Sequence, residues 1–192
     1  ALNGLAQTLL RMTVPGVPDL YQGNEFWDFS LVDPDNRRPV DYPARTQALQ
    51  EVAEAGQMLE RWQDGRIKQA LIARTLALRG AHPELFRHGR YLPLPILGSQ
   101  ADKVLAFARE YQGQWALVLV PVRVANALRV GQLDEVADTA VVVEPCIPTN
   151  EQLPAPLVAM LLSEFDKIRP GWAALIACVG CFVHDVESER CR

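Results

Sequence analysis

Positive charge is scarce in this sequence. Nineteen Lys and Arg stand against 23 Asp and Glu, which gives a net charge of −4 and a pI near 5.4. A protein that grips nucleic acid through its phosphates needs the opposite balance, so a general nucleic-acid binder is excluded. Long apolar runs are missing as well. The longest, Trp172–Val183, is too short to cross a bilayer. Cysteine is absent from the first 145 residues. The four that exist (Cys146, Cys178, Cys181 and Cys191) crowd into the last third, which is no disulfide framework, so a reducing, cytoplasmic setting is expected. There is no internal repeat, no low-complexity tract, no initiator Met and no signal-like start. Ala1 opens directly into an amphipathic pattern, and a fragment of a longer chain is the expectation. What the sequence does have is 49% hydrophobic content over 192 residues, enough for one large or two small domains.

The densest chemistry lies in Pro15–Tyr42, PGVPDLYQGNEFWDFSLVDPDNRRPVDY. Pro15, Pro18 and Pro34 shape turns. Asp19, Glu25, Asp28, Asp33, Asp35 and Asp41 supply carboxylates, and Arg37-Arg38 are adjacent guanidiniums. A purely structural loop needs turn formers but not this density of donors and acceptors, so the stretch reads as one wall of a polar binding site. Upstream, Leu2, Leu5, Leu9 and Met12 recur at three- and four-residue spacing and predict a helix that stops before Pro15. Val17–Tyr21 reads as a buried strand end, and Gln22-Gly23-Asn24 as the turn leaving it. Helix, strand and functional loop in that order suit a parallel α/β unit, where ligands meet the loops after strand C-termini.

Further on, a helix is expected over Ala44–Leu59, with Leu49, Val52, Ala53, Gly56 and Leu59 on one side. Asp64-Gly65 breaks it, with Asp64 able to cap the next helix. That helix, Ile67–Arg79, is apolar around much of its circumference, which predicts burial between layers, and His82-Pro83 ends it. From Gly89 the period becomes two. Tyr91–Ile96, Val104–Arg109, Trp115–Val120 and Ala137–Val143 read as strands, with a hairpin turn at Tyr111-Gln112-Gly113-Gln114. After Glu144, prolines 145, 148, 154 and 156 mark a loop, and Leu157, Leu161, Phe165 and Ile168 suggest a helix.

Gly16-Val17-Pro18-Asp19-Leu20-Tyr21-Gln22-Gly23-Asn24-Glu25 resembles the eighth-strand segment of the α-amylase superfamily. Leu31-Val32-Asp33-Pro34-Asp35-Asn36-Arg37-Arg38-Pro39-Val40-Asp41-Tyr42 is similar, more specifically, to the maltooligosyltrehalose synthases, the (1→4)-α-D-glucan 1-α-D-glucosylmutases. His82-Pro83-Glu84-Leu85-Phe86, Gly89-Arg90-Tyr91-Leu92-Pro93-Leu94 and Val104-Leu105-Ala106-Phe107-Ala108-Arg109 resemble that family's passage into its C-terminal β domain. The resemblance covers roughly Ala1–Thr139. It implies an α/β plus β fold: residues 1–88 as the end of a (β/α)8 catalytic barrel (last strand and flanking helices), 89–144 as a small antiparallel β domain, and 145–192 as a divergent tail of uncertain structure. Val136 stands where the family pattern tends to show Trp, and beyond Glu144 nothing matches. A divergent tail and a shifted reading frame both account for that.

The activity implied is an intramolecular transglucosylation. The reducing-end α-1,4 bond of a maltooligosaccharide becomes an α,α-1,1 bond, through a retaining pair of carboxyl groups with water kept out. The resemblance places the catalytic carboxylates on earlier strands, upstream of Ala1, so this chain is expected to hold no catalytic residue and to be inactive alone. The rest of the barrel is its implied partner, and maltooligosaccharide its implied ligand. No metal or cofactor is expected. Asp19, Tyr21, Asn24, Glu25, Trp27, Asp33, Asp35, Asn36, Arg37 and Arg38 are the candidate substrate-binding residues, Tyr21 and Trp27 as faces for a sugar ring and the others for hydroxyls or for orienting carboxylates.

Plainer roles compete for several of these. Asp19 equally suits a turn cap, and one of the two arginines suits a solvated pair with Asp33 or Asp35. Phe26 and Phe29 read as core beneath the loop, while Trp27 divides between core and platform. Trp62 and Trp115 read as packing, and His82 and His88 as helix-end residues. Cys178-Val179-Gly180-Cys181, near His184 and Cys191, is a weak zinc or redox signal on an apolar run, better read as incidental thiols. A non-catalytic carbohydrate- or partner-binding piece is the alternative from a different class.

Overall fold

The structure is a computed structural model that describes residues 1–30, 37–51, 55–99, 101–123, 140–141 and 180–185. The first helix, α1, runs Leu2–Thr13. Leu2, Leu5, Leu9 and Met12 are all buried, and Val14 leaves the helix in an extended conformation, as the residue before a proline must. Two short helices come next, α2 (Tyr42–Gln50) and α3 (Ala55–Glu60). Asp41 caps α2 by accepting the Ala44 N–H at 3.0 Å, with Pro43 in the first turn. The long helix α4 (Arg66–Ala81) starts at Gly65, where Asp64 accepts the Arg66 N–H at 2.9 Å. Pro83 opens α5 (Pro83–His88).

Strands begin directly after α5. They are β1 (Arg90–Pro93), β2 (Ile96–Leu97), β3 (Val104–Tyr111), β4 (Gln114–Pro121), β5 (Ala140–Val141) and β6 (Gly180–Asp185). One four-stranded antiparallel sheet has the order β1-β3-β4-β6, and β2 pairs with β5 in a second antiparallel pair. The β3–β4 hairpin turns through Gln112 and Gly113, both at positive φ, as a two-residue turn with the right twist requires.

Helices and sheet share a core. On one sheet face, Phe107, Val118 and Val120 pack against Ala6 and Leu9 of α1. On the other, Leu94, Ala106, Ala108 and Trp115 form a separate cluster. Leu85 and Phe86 of α5 close on Ala116. Arg109 of β3 sits inside this junction at 1% exposure. Its guanidinium donates to the carbonyls of Thr13 (3.0 Å), Phe86 (3.0 Å) and Gly89 (2.7 Å). A cation is thereby placed at the carbonyl ends of α1 and α5, where the helix dipoles favour it. Arg79 of α4 adds a bond to the Met12 carbonyl at 2.6 Å.

Several expectations are corrected. Val17–Tyr21 is coil rather than a buried strand, and Val17 is 96% exposed. A strand exists only through its neighbours. None of the described strands pairs with this segment, and Pro15 and Pro18 remove two donors. The helix expected over Ala44–Leu59 is two helices, with Leu49 exposed on α2; Val52 and Ala53 lie outside the described residues. α4 is covered on one side by Ile67, Gln69, Ile72 and Thr75 and leaves Leu76 exposed, so it lies on the body rather than between layers. Tyr91–Ile96 is divided at Leu94-Pro95, where proline cannot donate to a ladder. The tail supplies β6, which pairs along β4 with Trp115 opposite His184 and Val118 opposite Cys181. The expected helix near Leu157–Ile168, together with Cys178 and Cys191, lies outside the described residues.

Candidate functional site

The loop from Pro15 leaves the carbonyl end of α1 and crosses the start of α4. Gly65 makes the crossing possible. It holds φ at 82°, and a Cβ there would meet the Trp27 backbone nitrogen at 2.9 Å and Phe26 Cα at 3.0 Å. Only a residue without a side chain lets the loop lie this close.

Two cations on the helices then hold the loop from behind. Arg45 of α2 makes an ion pair with Glu25 at 3.0 Å, donates to the Gly23 carbonyl at 2.6 Å and to the Asp41 carbonyl at 3.0 Å, and places its guanidinium 4.7 Å from the Phe26 ring centroid. Lys68 of α4 donates to the Phe26 carbonyl at 3.2 Å and stands 5.7 Å from the Trp27 ring centroid. Partial burial pushes the Lys68 ammonium below the usual lysine value, and nearby Arg11 adds to the shift. Gln69 braces Arg45 through its main-chain carbonyl at 3.0 Å. Neither Arg45 nor Lys68 was singled out by sequence. Arg45 lies 20 residues from Glu25, and no spacing rule connects the two.

The ten candidates differ in where they stand. Asp19 and Tyr21 are exposed, the latter with its carbonyl accepting the Asn24 N–H at 3.1 Å. Asn24 is half-buried in that turn. Glu25 is taken up by Arg45. Trp27 is half-buried, donating its indole N–H to the Trp62 carbonyl, and a Cβ at Gly4 would meet its ring at 3.1 Å. Its ring therefore rests on α1 as much as it faces outward. Asp33, Asp35 and Asn36 lie outside the described residues. Arg37 and Arg38 are exposed. Phe29, expected as core, is 81% exposed, while Phe26 is half-buried under Arg45. Trp115 is buried as expected, and His88 ends α5.

Three of the loop's carboxylates have structural partners. Asp41 caps α2 and Glu25 pairs with Arg45. Asp28 accepts from the Ser30 hydroxyl (2.6 Å) and amide (2.8 Å), and these bonds hold its carboxyl below the usual value. Carboxylates committed in this way make poor general acids. Among the exposed residues, Val17, Tyr21 and Phe29 give aromatic and apolar area, with Asp19, Gln22, Asp28, Arg37 and Arg38 as polar groups around them. Among the described residues no group of three His, Cys, Asp or Glu is placed to hold a metal ion, and no helix is long and apolar enough to cross a membrane.

No protein-family model matches the chain. Two curated proteins from strains of Mycobacterium tuberculosis, both named maltooligosyl trehalose synthase, are 50% identical to it over 107 residues. That is 56% of this chain and 12% of theirs. Among solved structures, the maltooligosyltrehalose synthase from Arthrobacter ramosus is similar at 38% identity and a TM-score of 0.56, and a point mutant of that enzyme gives 0.58; each match covers 74% of this chain and 18% of the other. The chain thus spans about an eighth of the length of the curated relatives it matches. Over that matched stretch the chain is similar in sequence and in structure to the maltooligosyltrehalose synthases.

Proposed function

We propose that this chain forms a substrate-side wall and the adjoining β unit of an enzyme that converts the reducing-end α-1,4 linkage of maltooligosaccharides into an α,α-1,1 linkage. The similarity to the named synthases over 107 residues carries this reading, because the matched stretch includes more than half of the chain. The loop geometry supports the division of labour. Glu25, Asp28 and Asp41 are committed to structural bonds, which agrees with what the resemblance implies: a retaining carboxylate pair on the rest of a barrel, and 192 residues that are inactive alone. Residues 1–88 are the barrel's end and 89–144 its β unit, working in a cytoplasmic setting. Asp19, Tyr21 and Asn24, with Asp33, Asp35, Asn36, Arg37 and Arg38, are the groups assigned to sugar contact. Glu25 and Trp27 shape the wall.

The exposure of Val17, Tyr21 and Phe29 favours a second reading, in which the chain is a non-catalytic carbohydrate-binding piece. Incubating the purified chain with maltopentaose separates the two. The first reading expects no trehalosyl-ended product from the chain alone and restored conversion once it is joined to the missing barrel. Sugar binding by the chain, with no activity recovered on joining, would favour the second.

A further inference from the structure

The turn between β3 and β4 contains a costly residue. Two-residue turns of this kind take positive φ at both central positions, which Asn, Asp and Gly adopt most readily. Gly113 meets that demand at φ 83°, but its neighbour is Gln112 at φ 50°. A Cβ is penalised in that region, and glutamine lacks asparagine's short-range compensation. What glutamine adds is reach. Its amide nitrogen lies 3.4 Å from the Tyr111 hydroxyl, and both residues line a cavity of about 320 Å³. His82 and Glu84, at the α4–α5 junction, and Gln114 of β4 complete the polar lining. Tyr111 is fixed from behind by Leu85, Phe86 and Ala116, and its ring leans on His88 with centroids 5.9 Å apart.

The chemistry of this lining narrows the ligand. It offers no guanidinium or ammonium for a phosphate and a single carboxylate for a cation. Amides that both donate and accept, an imidazole, an acceptor carboxylate and one aromatic ring match a neutral molecule rich in hydroxyls. The volume lies at the low end of small-molecule sites, the scale of one or two sugar rings. The cavity lies at the C-terminal end of α4, whereas Phe26 and Trp27 of the loop lie against its N-terminal end, roughly 24 Å away at the helical rise of 16 residues.

We propose that this cavity is a second carbohydrate site, binding a glucosyl unit of an oligosaccharide at the far end of α4 from Phe26 and Trp27. The hydroxyl-rich ligand class comes from the lining alone; the choice of glucose rests on the proposed function.

The test is a titration of the full 192-residue chain with maltotriose, following the amide signals of Gly113 and Gln114 for the cavity and of Tyr21 and Asn24 for the loop. Saturable shifts at Gly113 and Gln114 are expected. Gln112→Gly removes the amide while easing the turn, so the fold is kept, and the cavity midpoint should rise about fivefold, the weight of one hydrogen bond. Glu84→Gln is a second variant, expected to weaken cavity binding with the turn untouched. Cavity signals that stay fixed while loop signals move overturn the site and leave the proposed function standing. Cavity signals that move alone sustain the site and count against the loop's role. A midpoint unchanged in both variants overturns the site.

Discussion

Gly65 shows how much can rest on one missing side chain. Gly65→Ala forces a Cβ into the backbone of Phe26 and Trp27 and demands positive φ of an L-residue. A loss of about 2–3 kcal/mol in urea unfolding is expected. Gly80→Ala is the control, since nothing lies within 4 Å of its added methyl, and a gain of about 0.5 kcal/mol is expected there. Lys68 gives a pH signature. Its folded pKa lies below the ordinary 10.5, so the unfolded chain binds more protons in the window between the two values. Stability therefore rises with pH across that window and levels off above it. Unfolding free energies measured from neutral to alkaline pH should show wild type gaining on Lys68→Met as 10.5 is approached; parallel curves would remove the burial effect. The sequence announced the density of charge in Pro15–Tyr42 but not its pairing. Glu25 is equally good as sugar ligand or ion-pair partner until Arg45 is seen beside it.

At the level of elements, legibility tracked locality. α1 was readable because its stripe of leucines and its stop at Pro15 are encoded within a dozen residues, and the hairpin at Gln112-Gly113 because a turn is a two-residue decision. Val17–Tyr21 was not, since its apolar letters suit a strand only if neighbouring strands accept its backbone. β6 was hidden for the opposite reason: an apolar run containing glycine has no alternation, yet β4 gives it a ladder from Gln114 to Leu119. Deleting residues 180–192 would strip β4 of that partner and bare an apolar edge. Light scattering of the shortened chain should show self-association at concentrations where the full chain is monodisperse. Equal solubility of the two would mean that β6 does not protect the edge.

In the molecule as a whole, the described helical and β parts pack together and are tied through Arg109. An arginine in an alternating strand gives no sequence hint that it points inward, because a surface strand carries the same letter. Inside, it serves the carbonyls of Thr13, Phe86 and Gly89 at once. Arg109→Met leaves those acceptors short of donors and should cost about 3 kcal/mol or more by thermal or urea unfolding. Arg109→Lys should recover part of the loss, since one ammonium cannot reproduce the fork. The root of the candidate loop is the carbonyl end of α1, so this junction also sets where the loop, the proposed wall, stands.

The most direct test of that wall is a chimera in which this chain replaces the matching stretch of the Arthrobacter ramosus synthase, assayed for conversion of maltopentaose into a trehalosyl-ended product. Conversion by the chimera, with kcat/KM about tenfold lower after Tyr21→Ala, is the expected result. A folded chimera without conversion, or one indifferent to Tyr21, would contradict the assignment of Pro15–Tyr42 to the substrate.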